Sequence, residues 1–411
     1  MNSTPWKSEK WYVSPWNYTD EVTKDFNFAD KVIFHDVSLR DGEQQAGLIF
    51  NADEKVAIAE RLAEMGIQRI EAGMPAVSPQ DKLAIERIVK KAWGPKIFAF
   101  GRCMVPDVEA AADCGVDGVV IEIPSSEHLV KHAYQWEMEK AIELSITATQ
   151  RAKELGLYTV FFPIDASRAD IDWFLKLIRT ISTEGHMDAL ACVDTMGALG
   201  PSAVTYLIKK AKEIIPDKPI EAHFHDDFGL GAANTIIAAT AGAEVLHTTI
   251  SGIGERAGNA PYEDIALTLL TMYGVDTGIK YDRIYETSKF LQEISGLKVR
   301  QNRGITGEGI ANIESGIVVD WFVKAFEDAP LELSPYRYDL TGHPDWEVVI
   351  GKNSGLPTVD VYLDRIGLSC DDKDVKLEIV KDIKEKAYEL HRLLTVAEFE
   401  EIAHKHIDAA A

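Results

Sequence analysis

The segment AHFHDDFGLG, residues 222–231, sets His223 and His225 either side of Phe224 and follows them with Asp226 and Asp227. In an extended strand, side chains at i and i+2 share a face, so both imidazoles project one way and Phe224 the other. Two neutral imidazoles along one strand supply two adjacent positions of a metal coordination sphere. The same spacing also suits a pair of hydrogen-bonded core histidines. A second cluster, FHDVSLRDGEQQAG at residues 34–47, carries Arg40 and Asp41 where an apolar run gives way to a glycine turn, followed by Glu43 and Gln44. A third, SGIGERAGNAPYED from Ser251, has glycines that permit close backbone approach and Asn259, whose amide can offer a carbonyl oxygen. Asp41, His223, His225 and Asn259 would offer two oxygens and two nitrogens to one divalent ion, leaving room for a bidentate ligand. Mg²⁺, Mn²⁺, Co²⁺ and Zn²⁺ all tolerate such mixed ligation. Arg40 would stay free to bind an anion or to stabilise oxyanion charge. The competing reading of Arg40 and Asp41 is a surface salt bridge worth little.

These groups meet only if three distant segments end at one place. From Lys31, eight short β-rich runs alternate with amphipathic helical segments: KVIFHDVSLRD, QRIEAGMP, KIFAFGRC, GVVIEIPSS, YTVFFPID, DALACVDTMG, PIEAHFHDD and EVLHTTISGIGE. Eight βα units imply a parallel sheet closed into a (β/α)₈ TIM barrel over residues 31–280, whose functional groups come from the C-terminal ends of the strands. An open doubly wound sheet is the alternative, but no GxGxxG follows the first run. Residues 281–411 read as a small, mostly helical C-terminal appendage, with a turn-rich stretch LSPYRYDLTGHPDWEVVIGKNSG in its midst. Residues 1–30 form an aromatic arm with Trp6, Trp11 and Trp16, expected to pack on the barrel or on a partner subunit because exposed indoles are costly.

The net charge of −23 disfavours nucleic acid and anionic membranes as partners, since the long-range field repels phosphates. Four cysteines without CxxC spacing, and the absence of a signal peptide or an apolar run of about 18 residues, predict a reduced cytoplasmic protein.

LRDGEQ at the first run, HFHDD-GL-AAN at the seventh and GIGERAGN at the eighth resemble the barrel metalloenzymes that include isopropylmalate, homocitrate, citramalate and re-face citrate synthases, with hydroxymethylglutaryl-CoA lyase a more distant relative. The likeness extends into the appendage through NIESGIVVDWFVK and GHPDWEVVIGKNSG. The lyases usually carry a cysteine in the glycine-rich loop after the eighth strand; Glu255 and Arg256 stand there, which favours the synthase branch. The resemblance implies a metal-dependent, Claisen-type condensation of an acyl-CoA, such as acetyl-CoA, with a 2-oxo acid, and a homodimer. It further implies that Thr195 holds the 2-oxo acid's carboxylate and that Gln44 and Glu71 line the pocket; Thr195 could equally be a helix-capping residue.

Two positions depart from the pattern. Where these synthases carry a glutamate in the fifth run this chain has Ile164, and where they carry a histidine after SGI it has Val318. A hydrocarbon can move no proton, so another group must serve, with His128, His247 and Tyr336 as candidates, or the reaction differs. Phe162 and Ile164 at the mouth would suit an apolar substituent on the 2-oxo acid. A lyase or aldolase working through the same metal, and a non-catalytic relative, are the competing functions.

Overall fold

The computed structural model describes residues 4–410. The chain divides into two compact units: Pro15–Val299, and a smaller one made of the residues before Pro15 and after Val299.

In the larger unit eight parallel strands close into a barrel in sequence order. They are β1 (Ile33–Asp36), β2 (Arg69–Glu71), β3 (Lys96–Arg102), β4 (Gly118–Pro124), β5 (Tyr158–Ile164), β6 (Ala189–Asp194), β7 (Ile220–Phe224) and β8 (Val245–Thr248). β1 pairs with β8 in a register that sets His35 opposite His247, and this closure rules out the open sheet. Alternate residues face the interior, where Phe98, Phe100, Val120, Val160, Phe162, Ala189, Ala191 and Val193 form one apolar cluster. Their neighbours, such as Val119, Ile121 and Phe161, are fully buried on the opposite face, beneath the surrounding helices. Burying one such phenylalanine contributes about 1.5–3 kcal/mol.

Local signals fix where several helices begin. Helix Ala52–Met65 starts at Asn51, whose side chain accepts from the N–H groups of Asp53 and Glu54, and it stops at Gly66 with φ 92°. Helix Ile171–Thr183 starts at Asp170, which accepts from Trp173 N–H. Lys55 on the first of these helices is buried, and it pairs with Glu43 and Asp81 at 2.5 Å each and donates to Leu39 O at 3.1 Å. That one ammonium clamps the turn after β1 to the helix behind it.

The smaller unit has its own apolar core, including Ile313, Val348, Val359, Ile383 and Phe399, and a two-stranded sheet of β9 (Asn312–Ile313) and β10 (Glu347–Val348). The aromatic arm is divided between the units. Trp11 bridges to Tyr336 in the smaller one, while Tyr18 donates to Thr271 O at 2.7 Å in the larger. Trp16 is 78% exposed on the single chain, so the barrel, the first of the two surfaces on which the arm is expected to pack, leaves most of its ring uncovered. Among the described residues no helix is long and apolar enough to cross a membrane.

Candidate metal centre

The chain after β1 turns at once: Val37 O accepts from Arg40 N and Gly42 N, which swings Arg40 and Asp41 over the barrel mouth. Across the mouth β7 ends at Phe224, and His223 and His225 reach the same carboxylate. Their Nε2 atoms lie 3.2 and 3.7 Å from Asp41 Oδ2. Asn259, from the loop after β8, donates its amide to Asp41 Oδ1 at 2.9 Å and to Ile253 O. That loop closes tightly because it is built of glycine. Gly258 has φ 91°, and a Cβ on it would lie 1.9 Å from Gly252 O, so no other residue fits. The four predicted ligands therefore converge, all buried, with Arg40 beside them only 7% exposed.

The hydrogen bonds leave this set prepared for a cation. His225 Nδ1 lies 3.2 Å from Gly258 O, and a carbonyl only accepts, so Nδ1 carries a proton and Nε2 is the ring nitrogen turned toward Asp41. Burial lowers the pKa of His223 to about 3 and keeps it neutral. Burial alone would raise Asp41, but Arg40 and His223 hold it well below the usual carboxylate range. Asn259 Oδ1 is buried with no hydrogen-bond partner, as is Arg40 Nη2. A buried unpaired amide oxygen is costly, and a divalent cation between it, the carboxylate and the two imidazoles would satisfy it. The residues present fit the metal.

Residues 31–291 match the HMGL-like family. The chain belongs to that family. It is 35% identical over 367 residues to homocitrate synthase AksA of Methanopyrus kandleri, covering 89% of this chain and 90% of that one. It is 37% identical over 351 residues to a putative (R)-citramalate synthase CimA of Archaeoglobus fulgidus, covering 85% and 70% respectively. Among solved structures, a hydroxymethylglutaryl-CoA lyase from Pseudomonas aeruginosa superposes with a TM-score of 0.59 at 21% identity, covering 66% of this chain and 95% of that one, a likeness of fold.

Other sequence-predicted residues of this HMGL-like protein fall in different places. Glu71 is buried beneath Arg40, accepting from Arg40 Nε and lying 3.3 Å from His35 Nε2 through its other oxygen, so both oxygens are committed. Burial works against its charge, yet Arg40 and His35 bring its pKa down to about 2. Gln44 is exposed on the short turn Gly42–Gln44. Thr195, half-buried after β6, accepts from Asp165 N–H at 2.8 Å, which leaves its hydroxyl proton to donate. It caps no helix, since the next one, Pro201–Ile214, starts after Gly200. Arg256, at φ 57°, donates to the Thr195 carbonyl and pairs with Asp227, tying the β8 loop to the strands beside it.

The apolar wall is as expected on β5: the Phe162 ring lies 4.9 Å from that of His223 and 5.5 Å from that of Phe100, and Ile164 packs on the same cluster. The guanidinium of Arg40 sits 3.9 Å above Phe100. Val318 packs against the core of the smaller unit, to which Tyr336 also belongs. His128 is exposed with its ring against His132.

Below this centre lies a polar layer that sequence reasoning missed except for His247. His247 Nε2 is 2.7 Å from Glu221, whose other oxygen accepts from Arg69 at 2.7 Å, and His35 stacks on His247 at 4.3 Å and 9°. Although His35, Glu221 and His247 cluster closely enough to ligate, imidazole lone pairs lie in the ring planes, and two near-parallel stacked planes do not intersect at one ion. The layer is a charge-balanced floor. Glu122 on β4 was also missed, although its signal was legible: an acid in GVVIEIPSS at the inward parity of Val120.

Proposed function

We propose that this protein condenses an acyl-CoA, acetyl-CoA in the first instance, with a 2-oxo acid and releases free CoA. The observation that carries the reading is the convergence of Asp41, His223, His225 and the unpartnered Asn259 Oδ1 beside an Arg40 with one free N–H edge. A bound divalent ion would supply Lewis acidity to the ketone. Arg40, oriented by Glu71 from below and Asp41 from the side, directs Nη2 at the oxygen where charge develops. Thr195 donates its hydroxyl to the 2-oxo acid's carboxylate. Phe100, Phe162 and Ile164 exclude water from one side and favour an apolar substituent on the 2-oxo acid over a second carboxylate.

The test is thiol release from acetyl-CoA by metal-supplemented protein against pyruvate, branched and aromatic 2-oxo acids, oxaloacetate and 2-oxoglutarate. CoA release with members of the panel is the expected result, highest for apolar substituents. No release with any member overturns the condensation, and a marked preference for 2-oxoglutarate overturns the specificity.

A further inference from the structure

β4 carries one acid on its inward face. Glu122 follows Val120 by two residues, so the pleat turns both toward the barrel interior, where Val120 joins the apolar cluster. In register, Glu122 is level with Arg102 on β3 and Phe162 on β5. The Phe162 ring touches that of His223, which sets Glu122 at the height of the metal centre. Tyr134, closing the π-helical turn Val130–Tyr134 after β4, donates its hydroxyl to Glu122 Oε1 at 3.3 Å.

The other carboxylates around Arg40 are occupied. Asp41 is held by Arg40, Asn259 and the histidines, and Glu71 by Arg40 and His35. Among the described residues Glu122 has no ion pair, and it is half-buried. Ile164, on the same inward face of β5 one layer up, offers only hydrocarbon.

Resting on the condensation reading above, we propose that Glu122 is the base that takes a proton from the methyl carbon of the acyl thioester. The C–H bond breaks, the proton passes to a Glu122 carboxylate oxygen, the C–H electron pair forms the enolate C=C, and the thioester C=O π pair moves onto the thioester oxygen. As the C=C pair attacks the ketone carbon, the thioester C=O re-forms and the ketone π pair moves onto the ketone oxygen on the side Arg40 faces. The surroundings suit the task. Burial raises the basicity of Glu122, Asp41 reinforces this, and Arg40, the Tyr134 hydroxyl and Arg102 oppose it; β5 presents only Phe162. Arg102 is itself bound by Asp107 through two contacts, which tempers its pull.

The experiment compares the wild type with Glu122→Gln and Glu122→Asp. For Glu122→Gln we expect kcat to fall about 100-fold or more, the usual range for a lost general base, with KM for the 2-oxo acid and metal affinity within about twofold. Glu122→Asp should recover part of kcat. The rising acid limb of the wild-type kcat profile should vanish in Glu122→Gln, as should exchange of the acetyl-CoA methyl hydrogens with D₂O followed by mass spectrometry. A Glu122→Gln enzyme that keeps kcat within about threefold, or keeps the acid limb and the exchange, overturns the assignment and leaves the condensation reading standing. A wild type that releases no CoA overturns both. If Glu122→Gln fails to fold, Tyr134→Phe is read instead: removing the opposing hydroxyl must move the acid limb to higher pH, and an unmoved limb overturns the proposal.

Discussion

Asn259 donates its amide N–H to Asp41 Oδ1 at 2.9 Å, and its own amide oxygen is left buried with no partner. The one bond orients the carboxylate: it fixes Asp41 Oδ1 on the amide while Oδ2 faces the two histidines. A side chain that spends its donors locally and keeps its acceptor free is configured to meet a cation.

Metal binding should accordingly depend on all three segments. Titrating Mn²⁺ or Zn²⁺ into chelator-treated protein should raise its stability by about 2.7 kcal/mol at 100 times Kd. In His225→Ala and Asp41→Asn the gain should be lost, and in Asn259→Ala Kd should rise roughly tenfold or more, the scale seen for groups that orient ligands. Calorimetric titration measures this directly. Unchanged affinity in Asp41→Asn would overturn the centre.

Substituting Phe162 should separate packing from specificity. Its ring contacts both Phe100 and His223, so Phe162→Ala should cost roughly 3–5 kcal/mol by opening a cavity. Phe162→Leu keeps most of the volume and should lose much less. Its kcat/KM should shift toward 2-oxo acids with bulkier substituents, read as a ratio across the substrate panel. A ratio that does not move would place the substituent elsewhere.

The barrel was legible because alternating apolar runs and capped helices repeat eight times, and each local signal, such as Asn51 before its helix and Gly66 after it, agrees with the closed sheet. The convergence of the four candidate ligands was legible because strand parity places His223 and His225 on one face and the glycine loop brings Asn259 back to Asp41. The floor of His35, Glu221 and Arg69 was not. These residues are scattered over β1, β7 and β2, and only the registers of a closed barrel bring them together. Trp16 is the indole its own chain covers least, because the short helical turn Pro15–Tyr18 leaves that ring outward.

Gly258→Ala tests the loop that delivers Asn259. At φ 91°, with a Cβ destined to overlap the carbonyl of Gly252, the substitution forces the loop open. Metal affinity and kcat should fall together, by about 100-fold given how steeply catalysis depends on position. Far-UV circular dichroism should stay unchanged, because the strands do not depend on this turn. Full activity in Gly258→Ala would show that Asn259 is placed by something else.

Acid should destabilise the metal-free protein in two stages, and the signs follow from which state binds more protons. Burial lowers His35 to about 4 and His223 to about 3 from an ordinary 6.5, so below pH 6.5 the unfolded chain takes up protons that the folded one refuses, and stability falls. Asp36 acts against this. Burial raises it to about 7, so the folded state gains a proton there first, and the loss between pH 6.5 and 4 is partly offset. Below the ordinary 4.5 the balance becomes one-sided. Despite burial, Glu71 is held at about 2 by Arg40 and His35, and Glu221 at about 2 by His247 and Arg69, so both contribute stability above pH 4.5 that disappears as pH falls to 2. Urea midpoints measured from pH 7 to 3 in the presence of a chelator should therefore decline gently to about pH 4.5 and steeply beyond it. Glu221→Gln should flatten the steep part, and midpoints that stay level to pH 3 would show that Glu71 and Glu221 are not held ionised in the folded state.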